Sequence, residues 1–226
     1  MDLVRQLWER VNRRAPFKWS VGPKTQKSLR ALLPSLSDDF FNGDKEDLNR
    51  RLRPALSNAF QSGDAEAANL ASWVVRKWGG ISQLKEESLT AWLTVLGDFS
   101  SNRVASFIEI NGTNRISSWS KILAFVDYKN HAVYDSRTSV ALNCALQTLQ
   151  YPDRFAMPES RNKVVAPARK RLMAQPDIGR QLGYLEYLEF LRAVVACDLA
   201  NSLLDAEMVL FQNAKVVAAK YLNPEE

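Results

Sequence analysis

Apolar residues recur at helical spacing along almost the whole chain. Leu3, Leu7 and Val11, with Trp8 beside them, form a first stripe with a period near 3.6 residues. Pro23 in an opening turn predicts a short helix over 23–33. Leu48, Leu52, Leu56 and Phe60 fall on every fourth position after Asp44, which predicts a helix capped by that aspartate and running to about Gln61. Asp64 predicts the cap of the next helix, which Gly79–Gly80 should stop. Further helices are expected over 86–98, 102–110, 117–126 and 136–149, with a short basic one over 166–174. A long buried helix is expected over 178–202, and Asp205 should open the last, through about Tyr221. Residues 150–165 read as a loop, and His131–Tyr134 as an extended piece too short to found a sheet. The pattern predicts an all-α chain, as a single domain over 1–226 or as two closely packed helical lobes.

Composition narrows the function classes. The 226 residues are 46% hydrophobic and 24% charged, which is ordinary for a globular protein with a sizeable core. No run of eighteen apolar residues occurs, so no membrane span is expected, and the charged, amphipathic start does not read as a signal peptide. A cytoplasmic location is the expectation. The two cysteines, Cys144 and Cys197, stand alone on apolar helical stretches, there is no CxxC, and a single histidine cannot build a His-rich centre. Neither a metal nor a cofactor is expected, and no acidic cluster suited to Mg²⁺ suggests a nuclease.

Charge is unevenly spread. The net charge is +5, yet residues 101–180 hold twelve Lys and Arg against six Asp and Glu, so the remainder is slightly acidic. A basic region of this kind suits a nucleic-acid partner. It surrounds the one stretch with a suggestive chemistry, Arg115 to Asn143 (RISSWSKILAFVDYKNHAVYDSRTSVALN) within the motif region 101–150. Lys121 sits inside a short helix, and Asp135 follows fourteen residues later at the start of another. Each has a plain structural explanation: a solvated lysine, and a good N-cap. The run WVVRKWGGI at 73–81 reads as core followed by a helix stop, with duplex wedging as the functional alternative.

Together these residues carry a resemblance. The stretch resembles the helix-hairpin-helix DNA glycosylases, above all the 8-oxoguanine glycosylase-like branch. Ser120–Lys121–Ile122–Leu123 matches the lysine step, Asp127 to Asp135 the connection, and Val133–Tyr134–Asp135 with Val140 and Leu142 the aspartate step. The family's Leu-Pro-Gly-Val/Ile-Gly hairpin is replaced by Ile116–Ser117–Ser118–Trp119, the helix between lysine and aspartate is shorter, and the four-cysteine cluster of the endonuclease III branch is missing. The resemblance implies a helix-hairpin-helix fold and a DNA glycosylase that flips out and excises a modified base, with or without strand nicking. Lys121 would be the amine nucleophile and Asp135 the essential carboxylate.

Chemistry independent of the resemblance agrees with those roles. Breaking an N-glycosidic bond develops positive charge on the sugar, which a fixed carboxylate stabilises. A partly desolvated lysine can attack C1′ and form a Schiff base. Base flipping needs flat side chains, and Trp119, Tyr134, His131 and Phe125 are the candidates for a base pocket. Arg115, Ser117, Ser118 and Arg137 are expected on the DNA backbone, with Lys129, Arg161, Lys163, Arg169, Lys170 and Arg171 as further phosphate contacts. The partner would be double-stranded DNA carrying a modified base, with no obligate protein partner. The chain also looks like bacterial glycosylases proposed to act in phage defence on hypermodified bases such as glucosylated hydroxymethylcytosine. The competing expectation is a non-catalytic helical module that binds DNA or a protein, with Asp135 only capping a helix.

Overall fold

The computed structural model describes residues 2–13, 15, 20–175 and 179–224. The chain is mostly helical and divides into two compact units, one of residues 18–133 and the other of 1–17 with 134–226. The division falls between Val133 and Tyr134, inside the motif stretch. Among the described residues no helix is long and apolar enough to cross a membrane.

The 18–133 unit contains α2 (Pro23–Leu32), a 3-10 turn (Asp38–Phe41), α3 (Lys45–Ser62), α4 (Ala67–Ser72), a π-helical turn (Trp73–Trp78), α5 (Glu86–Leu96), α6 (Ser101–Asn111) and α7 (Ile116–Val126). Asp44 caps α3 as its spacing predicts, accepting from the amides of Glu46 and Asp47, and Gly63 closes that helix in the left-handed region. Asp64 does not cap α4. Glu66 holds the N-cap position, because Gly63 and the bend after it delay the next helix by two residues.

Helix α7 is buried on every side, with only Ser117 partly exposed, so it forms the centre of this unit. Leu52, Leu56, Val74 and Phe107 are among the fully buried side chains of the unit. Each such side chain contributes about 1.5–3 kcal/mol on leaving water. A buried helix end needs partners for its last carbonyls. Helix α3 supplies them: Arg53 Nη1 donates to Ala124 O at 3.1 Å, and Ser57 Oγ to Val126 O at 2.7 Å.

The second unit contains α1 (Asp2–Val11), α8 (Ser136–Thr148), β1 (Arg154–Phe155), α9 (Val165–Met173), β2 (Gln181–Leu182), α10 (Tyr184–Ala196) and α11 (Leu203–Leu222). Leu7, Trp8 and Val11 bury one face of α1, as their stripe predicts. Val140, Ala141 and Cys144 of α8 pack on Ala214, Val217 and Ala218 of α11, where small residues permit close approach.

The long helix expected over 178–202 is broken. Residues 181–182 pair in parallel with 154–155, α10 starts only at Tyr184, and it stops at Ala196. The stop is a Schellman turn on a non-glycine residue: Asp198 takes φ +56°, its amide bonds Val195 O at 3.0 Å, and Leu199 N bonds Val194 O at 3.1 Å. Ser202, not Asp205, caps α11, and accepts from the Asp205 amide at 3.1 Å. Residues 150–164 are irregular apart from β1, Val165 already opens α9, and Asn143 organises the segment. Its side chain donates to Phe155 O and accepts from Phe155 N, both at 2.8 Å.

Candidate functional site

The lysine half lies in the 18–133 unit. Helices α6 and α7 are joined by the four residues Gly112–Arg115. Gly112 has φ +52° and ψ −120°, a conformation open in practice only to glycine, and Arg115 has φ +51° in the left-handed region. The turn between these two helices therefore precedes Ile116–Trp119, the position at which the resemblance expects a hairpin. Ile116–Trp119 are the first turn of α7, and Gly112 is the turn glycine. Ser118 and Trp119 donate their amides back to Arg115 O at 2.8 and 3.3 Å.

Lys121 is not a solvated lysine. It is only 4% exposed, and its Nζ donates to Ser117 O one turn earlier. Its methylene stem fills the space above Gly79, where an added Cβ would stand 2.6 Å from Lys121 Cδ and 2.7 Å from Cε. The π-helical turn brings Gly79 to this position, and one-turn π segments recur at functional sites. Trp78 packs edge-on against Phe125 at 4.8 Å, and the Arg53 guanidinium lies 4.4 Å from the Phe125 ring centre and 5.1 Å from that of Trp78. The sequence marks Gly79 only as a helix stop, not as the residue beneath Lys121, and it does not single out Arg53. The signal for Gly79 was visible in the WVVRKWGG run, whereas Arg53 stood among arginines of an ordinary amphipathic helix.

The aspartate half lies in the other unit. Asp135 opens α8 through a capping box: Oδ1 accepts from Arg137 N at 2.8 Å and Thr138 N at 3.1 Å, and Thr138 Oγ1 accepts from Asp135 N at 3.0 Å. Both capping bonds fall on Oδ1, so the carboxylate is held in one orientation. It is partly exposed. The fully buried Tyr187 adjoins this helix start, where its hydroxyl bonds the Thr138 side chain. Burial holds the Tyr187 phenol well above its usual range, and the charges of Glu207 and Asp135 act in the same direction. Glu207 is itself only 4% exposed, on α11. Neither Tyr187 nor Glu207 was singled out from the sequence. A carboxylate inside the apolar run LLDAEMVLF was the available signal for Glu207.

The aromatic candidates for stacking do not form an open base pocket. Trp119 and Phe125 are completely buried; Trp119 Nε1 donates to Asn114 O at 2.9 Å, and its ring meets Phe107 edge-on at 5.8 Å. Tyr134 is also fully buried. Its hydroxyl donates to Ala156 O, its ring stands edge-on to Tyr187 at 5.0 Å, and burial pushes its phenol upward. Trp119 and Phe125 lie on α7, which is buried on all sides, and Tyr134 lies in the buried segment ahead of α8, so all three rings are core. His131 is partly exposed in the middle of the connection, where its amide donates to Asp127 O.

The backbone-contact candidates divide in the same way. Arg115 is exposed at the start of α7, with Nη1 3.2 Å from Ser88 Oγ, and Ser117 is partly exposed. Ser118 is buried, so its hydroxyl is not displayed to a phosphate. Arg137 is partly exposed, with its guanidinium 4.4 Å from the Phe211 ring centre. Lys129, Arg161, Lys163 and Lys170 are exposed, whereas Arg169 is tied to Met157 O at 2.9 Å and Arg171 to the carbonyls of Tyr221 and Leu222. Among the described residues, no group of three or more His, Cys, Asp or Glu could hold a metal ion.

No protein-family model, curated protein or solved structure matches the chain.

Proposed function

We propose that this chain is a DNA glycosylase that flips a modified base out of double-stranded DNA and excises it, leaving an abasic site. The observation that carries the reading is an order of elements. Two helices joined by a turn with a left-handed residue at each end lead into Lys121, and a carboxylate fixed at a helix start follows. The resemblance to helix-hairpin-helix glycosylases rests on the same order.

In this reading the bond from C1′ to the base nitrogen breaks, and its electron pair leaves with the base. Asp135 stabilises the positive charge left on the sugar. Held by its capping bonds, it does so without reorganising. Water attacks C1′ directly, or the Lys121 amine attacks and forms a covalent intermediate. Base stacking falls to His131 and to side chains outside the buried set. The substrates to examine first are duplexes carrying 8-oxoguanine, and phage DNA with glucosylated hydroxymethylcytosine.

One observation favours a second reading, a non-catalytic helical module that binds DNA. Lys121 is buried with its amine on a backbone carbonyl, and must leave that bond to react. Incubation with the modified duplexes, followed by alkali to reveal abasic sites, separates the two. Base release abolished by Asp135→Asn supports the glycosylase. Binding with no release from any of these DNAs supports the module. A borohydride-trapped adduct that disappears in Lys121→Ala assigns the amine route; release that persists in that variant assigns the water route.

A further inference from the structure

The α8 helix has a second end, and a cavity lies there. It has a volume of about 270 Å³ and belongs wholly to the unit that contains Asp135. Its floor is apolar, formed by Cys144, Ala145 and Val217, with Tyr221 at the side. Its rim carries Arg10, Arg13, Arg171 and Lys220, and none of the described residues that line it is acidic. Thirteen residues of α8 separate Asp135 from this end, a distance of about 20 Å at the helical rise. The cavity is therefore separate from the carboxylate of the proposed reaction.

The plain explanation of the four cations is that they neutralise helix ends. Helices α1, α8, α9 and α11 all finish near the residues that line the cavity. Arg171 does serve that purpose, bonding Tyr221 O at 3.3 Å and Leu222 O at 3.0 Å. Each helix end carries only about half a negative charge, however, so among the described residues that line the cavity four ends leave an excess of about two positive charges. A phosphate monoester carries about −1.5 to −2 at neutral pH. The backbone beneath Arg13 is also fixed, since Asn213 Oδ1 accepts from Arg13 N at 3.1 Å and from Ala15 N at 3.0 Å.

Cys144 forms part of the floor rather than a nucleophile. Burial pushes its thiol up to about 12, so it remains protonated and apolar. A cavity of this size, lined by Cys144, Ala145, Val217 and Tyr221 with Gln147 and Thr148 among them and carrying four cations, has room for a small ring system bearing one phosphate.

We infer that this cavity binds a phosphate monoester on a nucleoside, with the phosphate held by Arg10, Arg13 and Lys220 and the ring on the apolar floor. The ligand chemistry has two sources: a free nucleoside monophosphate, or the 5′-phosphorylated end of a DNA strand. The inference does not depend on the glycosylase reading.

The test is calorimetric titration of the whole chain at low salt with dCMP and AMP, the matching nucleosides, and a short DNA strand with and without a 5′-phosphate. Saturable binding that requires the phosphate is the expected result. An Arg10→Gln/Lys220→Gln variant changes only exposed side chains and should keep the circular dichroism of the parent. It should weaken binding by roughly tenfold or more, as loss of charge-assisted contacts does. Preference for dCMP or AMP identifies the free nucleotide as the source; preference for the phosphorylated strand identifies the DNA end. Absence of saturable binding at millimolar ligand overturns the inference. So does equal binding of nucleoside and nucleotide together with equal binding of the two strands, or unchanged affinity in the double variant.

Discussion

Gly79 and Lys121 occupy one another's space: a methyl group on Gly79 would lie 2.6 Å from Lys121 Cδ. Gly79→Ala should therefore displace the lysine stem and destabilise the protein by about 1–3 kcal/mol, as overpacking does. The same methyl would also stand 2.8 Å from Val75 O, which cannot move away as a flexible stem can. Combining Gly79→Ala with Lys121→Ala should recover only part of the loss. Urea unfolding of both single variants and the double gives the coupling, and full additivity would show that the stem is not the obstacle.

Asp135 has a capping role that can be separated from any chemical one. Asparagine caps about as well as aspartate, so Asp135→Asn should alter stability by only a few tenths of a kcal/mol, whereas Asp135→Ala should cost about 0.5–2 kcal/mol. Base release, if Asp135 is its carboxylate, is lost in both. Thermal melts and the abasic-site assay on the same preparations distinguish the roles. A fully active Asp135→Asn would remove Asp135 from the chemistry.

Arg53 and Ser57 donate to the carbonyls at the buried end of α7. Ser57→Ala leaves Val126 O without that donor and should cost about 1–3 kcal/mol, the penalty of a buried acceptor left unsatisfied. Arg53→Leu removes the donor to Ala124 O and the guanidinium over Phe125, and should cost at least as much. Native-state hydrogen exchange should show the last turn of α7 opening first in both.

Buried acids make the protein sensitive to alkali. Burial raises Cys144 from 9.0 to about 12, and Tyr134 and Tyr187 above 10.0. The unfolded chain loses these protons first, so stability is complete below about pH 9 and falls as the pH rises through each unfolded value. For Cys144 the fall continues to about pH 12. Each group contributes up to about 1.4 kcal/mol per pH unit within its window. Guanidinium unfolding between neutral pH and pH 11 should show the decline, and Cys144→Ala should reduce its onset near pH 9. A flat profile would contradict the burial of all three groups.

Local chemistry made much of the secondary structure legible. The period of Leu48, Leu52, Leu56 and Phe60 after Asp44, and Pro23 in a first turn, need only neighbours in sequence, and α3 and α2 follow them. The helix stop at Ala196 was not legible. Its turn places a left-handed conformation on Asp198, where the sequence has no glycine to mark it. Gln150 takes the same conformation after α8, with Tyr151 N bonded to Leu146 O at 2.9 Å. After α8 the turn falls where the sequence ends the helix, just ahead of Pro152; at Ala196 the order of residues permits the helix to continue, and the turn's backbone bonds together with its packing end it.

The candidate site divides along the same line. The sequence by itself determined that Lys121 lies in a short helix and that Asp135 opens the next, because capping and helical period are local properties. Only the tertiary structure decided that Lys121 is buried on Gly79, that Trp119, Phe125 and Tyr134 are core rather than stacking surfaces, that Arg53 lies on Phe125, and that Tyr187 lies against Tyr134. Burial depends on what other elements cover, and those elements stand up to about seventy positions away in the chain, as Arg53 does from Ala124. A hydrophobic pattern tells which face of a helix seeks cover. It does not tell which distant side chain provides it.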